Sequence, residues 1–114
     1  MIYRITAIAW LLSGTMAIAA QTISTSSKKA MDFYSKARNS ISLNEAIEFA
    51  QKAIAEDKTF TEAYWFLAAR FNEQNRQDQQ IATLKDAVLN TTYKIDETQY
   101  RLAKAYYEAG EYEL

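Results

Sequence analysis

Two acidic pairs, Glu45/Glu48 and Glu111/Glu113, are the groups in this chain whose spacing is compatible with general acid–base chemistry. Glu45 and Glu48 fall on a polar helical face, and Glu111 and Glu113 stand at the end of the sequence, with no apolar pocket implied around either pair. Both read as solvated surface, as does the charge mixture Arg70, Glu73, Arg76, Asp78, Lys85 and Asp86. There is no Cys and no His, which excludes a disulfide framework, a thiolate zinc site, a Cys nucleophile and a His-based triad. No Gly-rich loop exists to hold a phosphate. The expectation is a protein with no catalytic residue, no cofactor and no metal. Binding chemistry is better represented, by Trp65 and Asn72 and by Tyr100, Lys104 and Tyr107. Their spacing puts each set on one helix face. Trp and Tyr are frequent interface anchors, and Asn and Lys grip peptide carbonyls or carboxylates.

These side chains need helices to present them. The chain has 114 residues, 49% of them hydrophobic, with two Gly and no Pro. So few breakers among abundant Ala, Glu, Lys, Gln and Leu point to an all-α fold. The formal net charge is −1, which lacks the basic footprint of phosphate neutralisation, so nucleic acid is not an expected partner.

Residues 1–20 read as a signal peptide. Arg4 supplies the positive n-region, residues 5–12 are apolar, and Ser13-Gly14-Thr15 breaks the run. Ala17-Ile18-Ala19 then gives the small-x-small pattern of signal peptidase, placing cleavage after Ala19 or Ala20. A spanning helix needs about 20 apolar residues, more than this interrupted stretch offers. The expectation is export to the periplasm or the outer membrane. Residues 21–27 (QTISTSS) form a polar arm, and the helical domain is expected over 28–114.

That region repeats itself. Ile47, Ala53 and Ile54 recur thirty-four residues later as Ile81, Ala87 and Val88. The stretch 63–71 is echoed by 99–106 at an offset of thirty-five, so one extra residue lies in 91–95. Tyr64, Leu67, Ala68 and Phe71 make one helical stripe, and Ile81, Leu84, Ala87 and Val88 the next. Ser42-Leu43-Asn44-Glu45 and Thr59-Phe60-Thr61-Glu62 have capping-box form, and Asp96-Glu97-Thr98-Gln99 is a weaker version. Asn75 and Gly110 are suited to left-handed turns. The pattern predicts helices over 28–39, 43–56, 60–74, 78–90 and 97–109, with a sixth starting at Tyr112.

The second and third units resemble tetratricopeptide repeats. Tyr64 stands at the family's Trp, Leu67 at its Leu, Ala68 at its small residue and Phe71 at its Tyr. Leu84 and Ala87 fit the second helix, and Leu102, Ala103, Tyr106, Gly110 and Tyr112 fit the third unit. Ala46 and Ala53 fit the first unit, whose opening helix (Ala30, Phe33, Ala37) matches loosely. Gln80 departs from the family's Ala, and Lys58 and Thr92 stand where Pro is common. The resemblance implies a short right-handed solenoid of about two and a half helical hairpins, with units near 28–60, 61–95 and an incomplete 96–114. It also implies a concave surface lined by the first helix of each pair. Trp65, Asn72, Tyr100, Lys104 and Tyr107 would then form a peptide-binding groove. The competing expectation is that Trp65 and Tyr107 pack between repeats while Asn72 and Lys104 are solvated surface.

The leader, the STSS arm and the KKAMDFYSKA helix are also similar to the start of larger bacterial envelope proteins. Those carry tetratricopeptide repeats ahead of an OmpA-type domain. The third unit stops after one helix, leaving Leu102, Ala103 and Tyr106 without a covering partner. The reading favours a fragment, with pairing to a partner or a second copy as the alternative. The expected function is an envelope protein–protein interaction scaffold with a protein or peptide partner. The other reading is the accessory N-terminal part of an OmpA-like protein whose anchoring or secretion-related activity lies beyond Leu114. Membrane association would come only through that missing region or an uncleaved leader.

Overall fold

The structure, a computed structural model, describes residues 23–110, which are all-helical with no strand among them. The expected leader over 1–20, the Glu111/Glu113 pair and the start of a helix at Tyr112 lie outside the described residues. Five helices follow in order: α1 Lys28–Asn39, α2 Leu43–Glu56, α3 Thr61–Glu73, α4 Gln77–Asn90 and α5 Ile95–Glu108. Each packs on its neighbours in the chain. No helix among the described residues is long and apolar enough to cross a membrane.

Local chemistry accounts for most of the boundaries. Ser27 Oγ accepts from the Ala30 amide at the start of α1, and Ser42 Oγ from the Glu45 amide at the start of α2, each satisfying an orphan N–H of the first turn. Asn75 (φ 56°) and Gly110 (φ 79°) both adopt the left-handed conformation expected of them. The start of α5 departs from the expectation by two residues. The chain enters this helix through Lys94, which is also left-handed (φ 50°). The extra residue of the 91–95 connection is absorbed there, and Asp96 and Glu97 move into the first turn, where the helix dipole favours them.

The expected capping box at Thr59 is the larger departure. Thr59 turns back on Asp57, donating to Oδ1 from its amide (3.0 Å) and its hydroxyl (2.6 Å). The first turn of α3 is capped instead from outside its own segment. Ser24 Oγ accepts from the Thr61 amide (2.9 Å) and donates to Glu62 Oε1 (2.5 Å), while the Ser24 amide donates to Glu62 Oε2 (2.9 Å). Thr25 adds a hydroxyl bond to Asp57 Oδ2 at 2.5 Å. Residues 24–27 of the polar arm are thus docked across the α2–α3 connection.

Alanines let the helices approach closely enough for larger side chains to interdigitate. Ala30, Ala53 and Ala63 surround Phe60 in one fully buried cluster. Ala37 and Ala50 join Ile47, Leu67 and Phe71 in a second, and Ala68 and Ala105 join Ile81 and Leu84 in a third. Tyr34 meets Phe60 edge-on (5.0 Å between centroids) and Phe66 similarly (5.8 Å), tying α1 to α3. Burial pushes the phenols of Tyr34 and Tyr64 above their ordinary range, and the Tyr64 hydroxyl donates to the Lys58 carbonyl at 2.9 Å.

Candidate functional site

Between α3 and α5, with α4 as its floor, runs an open groove of about 250 Å³. Trp65, Ala68, Ala69 and Asn72 line it from α3, Gln80 and Leu84 from α4, and Arg101, Lys104, Ala105 and Glu108 from α5. The residues come from three helices because α3 and α5 present the same face at one-turn intervals. Small and apolar groups make the bottom, and amide and charged groups make the rim.

Trp65 is half-buried and does two things at once. Its ring lines the groove, while its Nε1–H donates to Thr98 Oγ1 at 2.9 Å across the α3–α5 interface. Thr98 has no exposed surface, so this hydrogen bond is sheltered from water. The Arg101 guanidinium lies 4.4 Å from the indole centroid, in cation–π range, and is held in place by Glu97 at 2.9 Å. The indole N–H and one flank of the ring are therefore engaged within the protein, and the remaining surface faces the groove. Asn72 and Lys104 stand exposed on opposite rims, with the Lys104 ammonium 3.8 Å from Glu108.

The five side chains expected to share a groove separate into two groups. Trp65, Asn72 and Lys104 come together in the α3–α5 groove. Tyr100 and Tyr107, 67% and 68% exposed, do not line it. Both sit on the other side of Lys104 around the α5 axis, because Arg101, Ala105 and Glu108 take the face turned to α3.

Among the lining residues that spacing alone misses, Arg101 is the charged one that contacts Trp65. Its signal in the sequence is the Glu97–Arg101 pair at i, i+4, which also marks ordinary exposed helix. The same device recurs one unit back, where the Arg70 guanidinium lies 4.5 Å from the Phe66 centroid and pairs with Glu73. In both arginines Nε is buried without a hydrogen-bond partner among the described residues. The guanidinium planes thus work as lids on aromatic rings as much as charges.

A second region with unusual protonation chemistry lies at the arm. Burial acts to raise the Asp57 pKa, but hydrogen bonds from Thr25 and Thr59 outweigh it and hold the carboxyl below the usual carboxylate range. This stabilises a connection and is remote from the groove. No cluster of three or more Asp, Glu, His or Cys able to hold a metal occurs among the described residues. Comparisons with protein-family models, with curated proteins and with solved structures found no match.

Proposed function

We propose that this chain is a tetratricopeptide-like solenoid of the bacterial cell envelope that binds a protein partner through the α3–α5 groove. The observation that carries the reading is the groove itself: Trp65, Asn72 and Lys104, singled out by chemistry and spacing, share one open cleft with an apolar floor. A cleft this open suits an extended peptide better than a compact metabolite, which is usually enclosed over most of its surface. In this reading the exposed part of the Trp65 ring takes an apolar peptide side chain, and Asn72 and Lys104 hold carbonyl or carboxylate oxygens. Tyr100 and Tyr107 extend the contact beyond the rim. The envelope location rests on the leader pattern of residues 1–20.

The test uses Asn72→Ala/Lys104→Ala, because both side chains are exposed and their removal leaves the packed core intact. A partner isolated from an envelope extract with the unaltered chain should bind this variant at least about tenfold more weakly, a loss of roughly 1.4 kcal/mol. Full affinity in a variant of unchanged helicity would remove the groove from the account.

A further inference from the structure

A second surface lies on the other flank of α3, where α1 rather than α5 is the neighbour. Tyr34 and Arg38 stand one turn apart on α1, and Phe66 and Arg70 one turn apart on α3. The half-buried Tyr34 and Phe66 rings meet edge-on, 5.8 Å between centroids, so the two rows face each other. Each arginine lies over the aromatic of its own row, Arg38 at 5.7 Å from the Tyr34 centroid and Arg70 at 4.5 Å from that of Phe66. Burial is the main cause of the raised Tyr34 pKa; around the same phenol the Arg38 charge acts to lower it, Glu62 to raise it and Arg70 to lower it. Both cations therefore border one aromatic pair. Their carboxylate partners are unevenly supplied. Arg70 has Glu73, in an i,i+3 contact that leaves the Glu73 side chain 46% exposed. The Glu62 oxygens are turned to Ser24. Arg38 is exposed and forms no ion pair among the described residues.

We infer that the α1–α3 face docks an acidic side chain of a partner protein, with its carboxylate on Arg38 and the flanking apolar side chains against Tyr34 and Phe66. A guanidinium lying over a ring uses its face there and keeps its in-plane N–H edge for a carboxylate. The charge of the face selects a single carboxylate over a polyanion. Glu62 and Glu73 border it as closely as the arginines do, so a dianionic phosphate or a nucleic acid would meet repulsion as well as attraction. The chain's own upstream segment does not supply the occupant, because residues 1–22 contain no Asp and no Glu. This face lies on the opposite flank of α3 from the groove of Trp65 and Asn72, and it does not depend on that groove being used.

The probes are two short end-capped peptides, with either one Glu or one Gln between two Leu, titrated to about 10 mM into the whole isotope-labelled chain at low salt. Binding is followed through the Nε–H resonances of Arg38 and Arg70. Saturable binding of the Glu peptide is expected, at least about fivefold weaker for the Gln peptide and for the chain carrying Arg38→Gln. Lys85→Gln, which removes an exposed charge from α4, should leave it unchanged, and so should Asn72→Ala/Lys104→Ala. The Gln peptide keeps the test valid even if the Arg38 variant folds poorly. No saturation with the Glu peptide, equal binding of the two peptides, or tighter binding of inorganic phosphate at the same resonances would each overturn the inference. So would a shift of the Arg38 resonance in Glu111→Gln/Glu113→Gln without peptide, since the chain's own carboxylates would then fill the site.

Discussion

Replacing Ser24 with alanine isolates the contribution of a cap supplied from 37 residues upstream of the helix it serves. The change removes the acceptor of the Thr61 amide and the hydroxyl donor to Glu62 together. An N-cap side chain contributes about 1 kcal/mol. Thr61 has no exposed surface, so water replaces the lost acceptor poorly and the cost moves towards about 1.5 kcal/mol. It stops there because the Ser24 amide still reaches Glu62 Oε2 at 2.9 Å. For a domain of this size each kcal/mol lowers Tm by about 4–8 °C, giving a drop of roughly 6–12 °C. Urea titration and thermal melting, both followed by far-ultraviolet circular dichroism, measure it. Ser26→Ala is the matched control, since Ser26 is exposed and its change should stay within about 0.5 kcal/mol. If the two variants unfold alike, the arm does not hold α3 and the reasoning from the Ser24 geometry is wrong.

Two further predictions concern the α2–α3 and α4–α5 connections. Asp57 has a folded-state pKa below its unfolded value, so its stabilising contribution is present above the unfolded pKa and is lost as pH falls through the folded one. Asp57→Asn should therefore be less stable than the unaltered chain at neutral pH, with the gap closing as the unaltered chain is acidified below about pH 4; a gap independent of pH would count against it. Lys94 holds φ 50° without any side-chain cap, so Lys94→Gly should stabilise the fold by up to about 1 kcal/mol, read as a higher urea midpoint with an unchanged slope.

Much of this architecture is legible without coordinates because its causes are local. Helix periodicity is set by neighbours three and four residues away, and it places α1 and α2 at their observed limits. The Ser27 and Ser42 caps act within three residues. The clustering of Trp65, Asn72 and Lys104 follows once α3 and α5 present like faces side by side. Errors begin where a local signal has a distant competitor. Thr59 and Glu62 have the spacing of a capping box, yet Asp57 captures the Thr59 hydroxyl and Ser24 takes the place at Thr61. Both arrangements satisfy the first turn of α3, and only the docked arm makes the second available.

The sequence by itself determined the helices, the two left-handed turns at Asn75 and Gly110, and the helix faces that carry Trp65, Asn72 and Lys104, since each depends on dihedral preference or spacing. Tertiary structure alone decided that Trp65 spans the interface to Thr98, that Arg101 covers its ring, and that Tyr100 and Tyr107 stand outside the groove. Residues 100, 104 and 107 lie close together around one helix axis. Which of them faces α3 is fixed by the rotation of α5, and that rotation is set by burying Thr98 and Ala105 against the preceding helices.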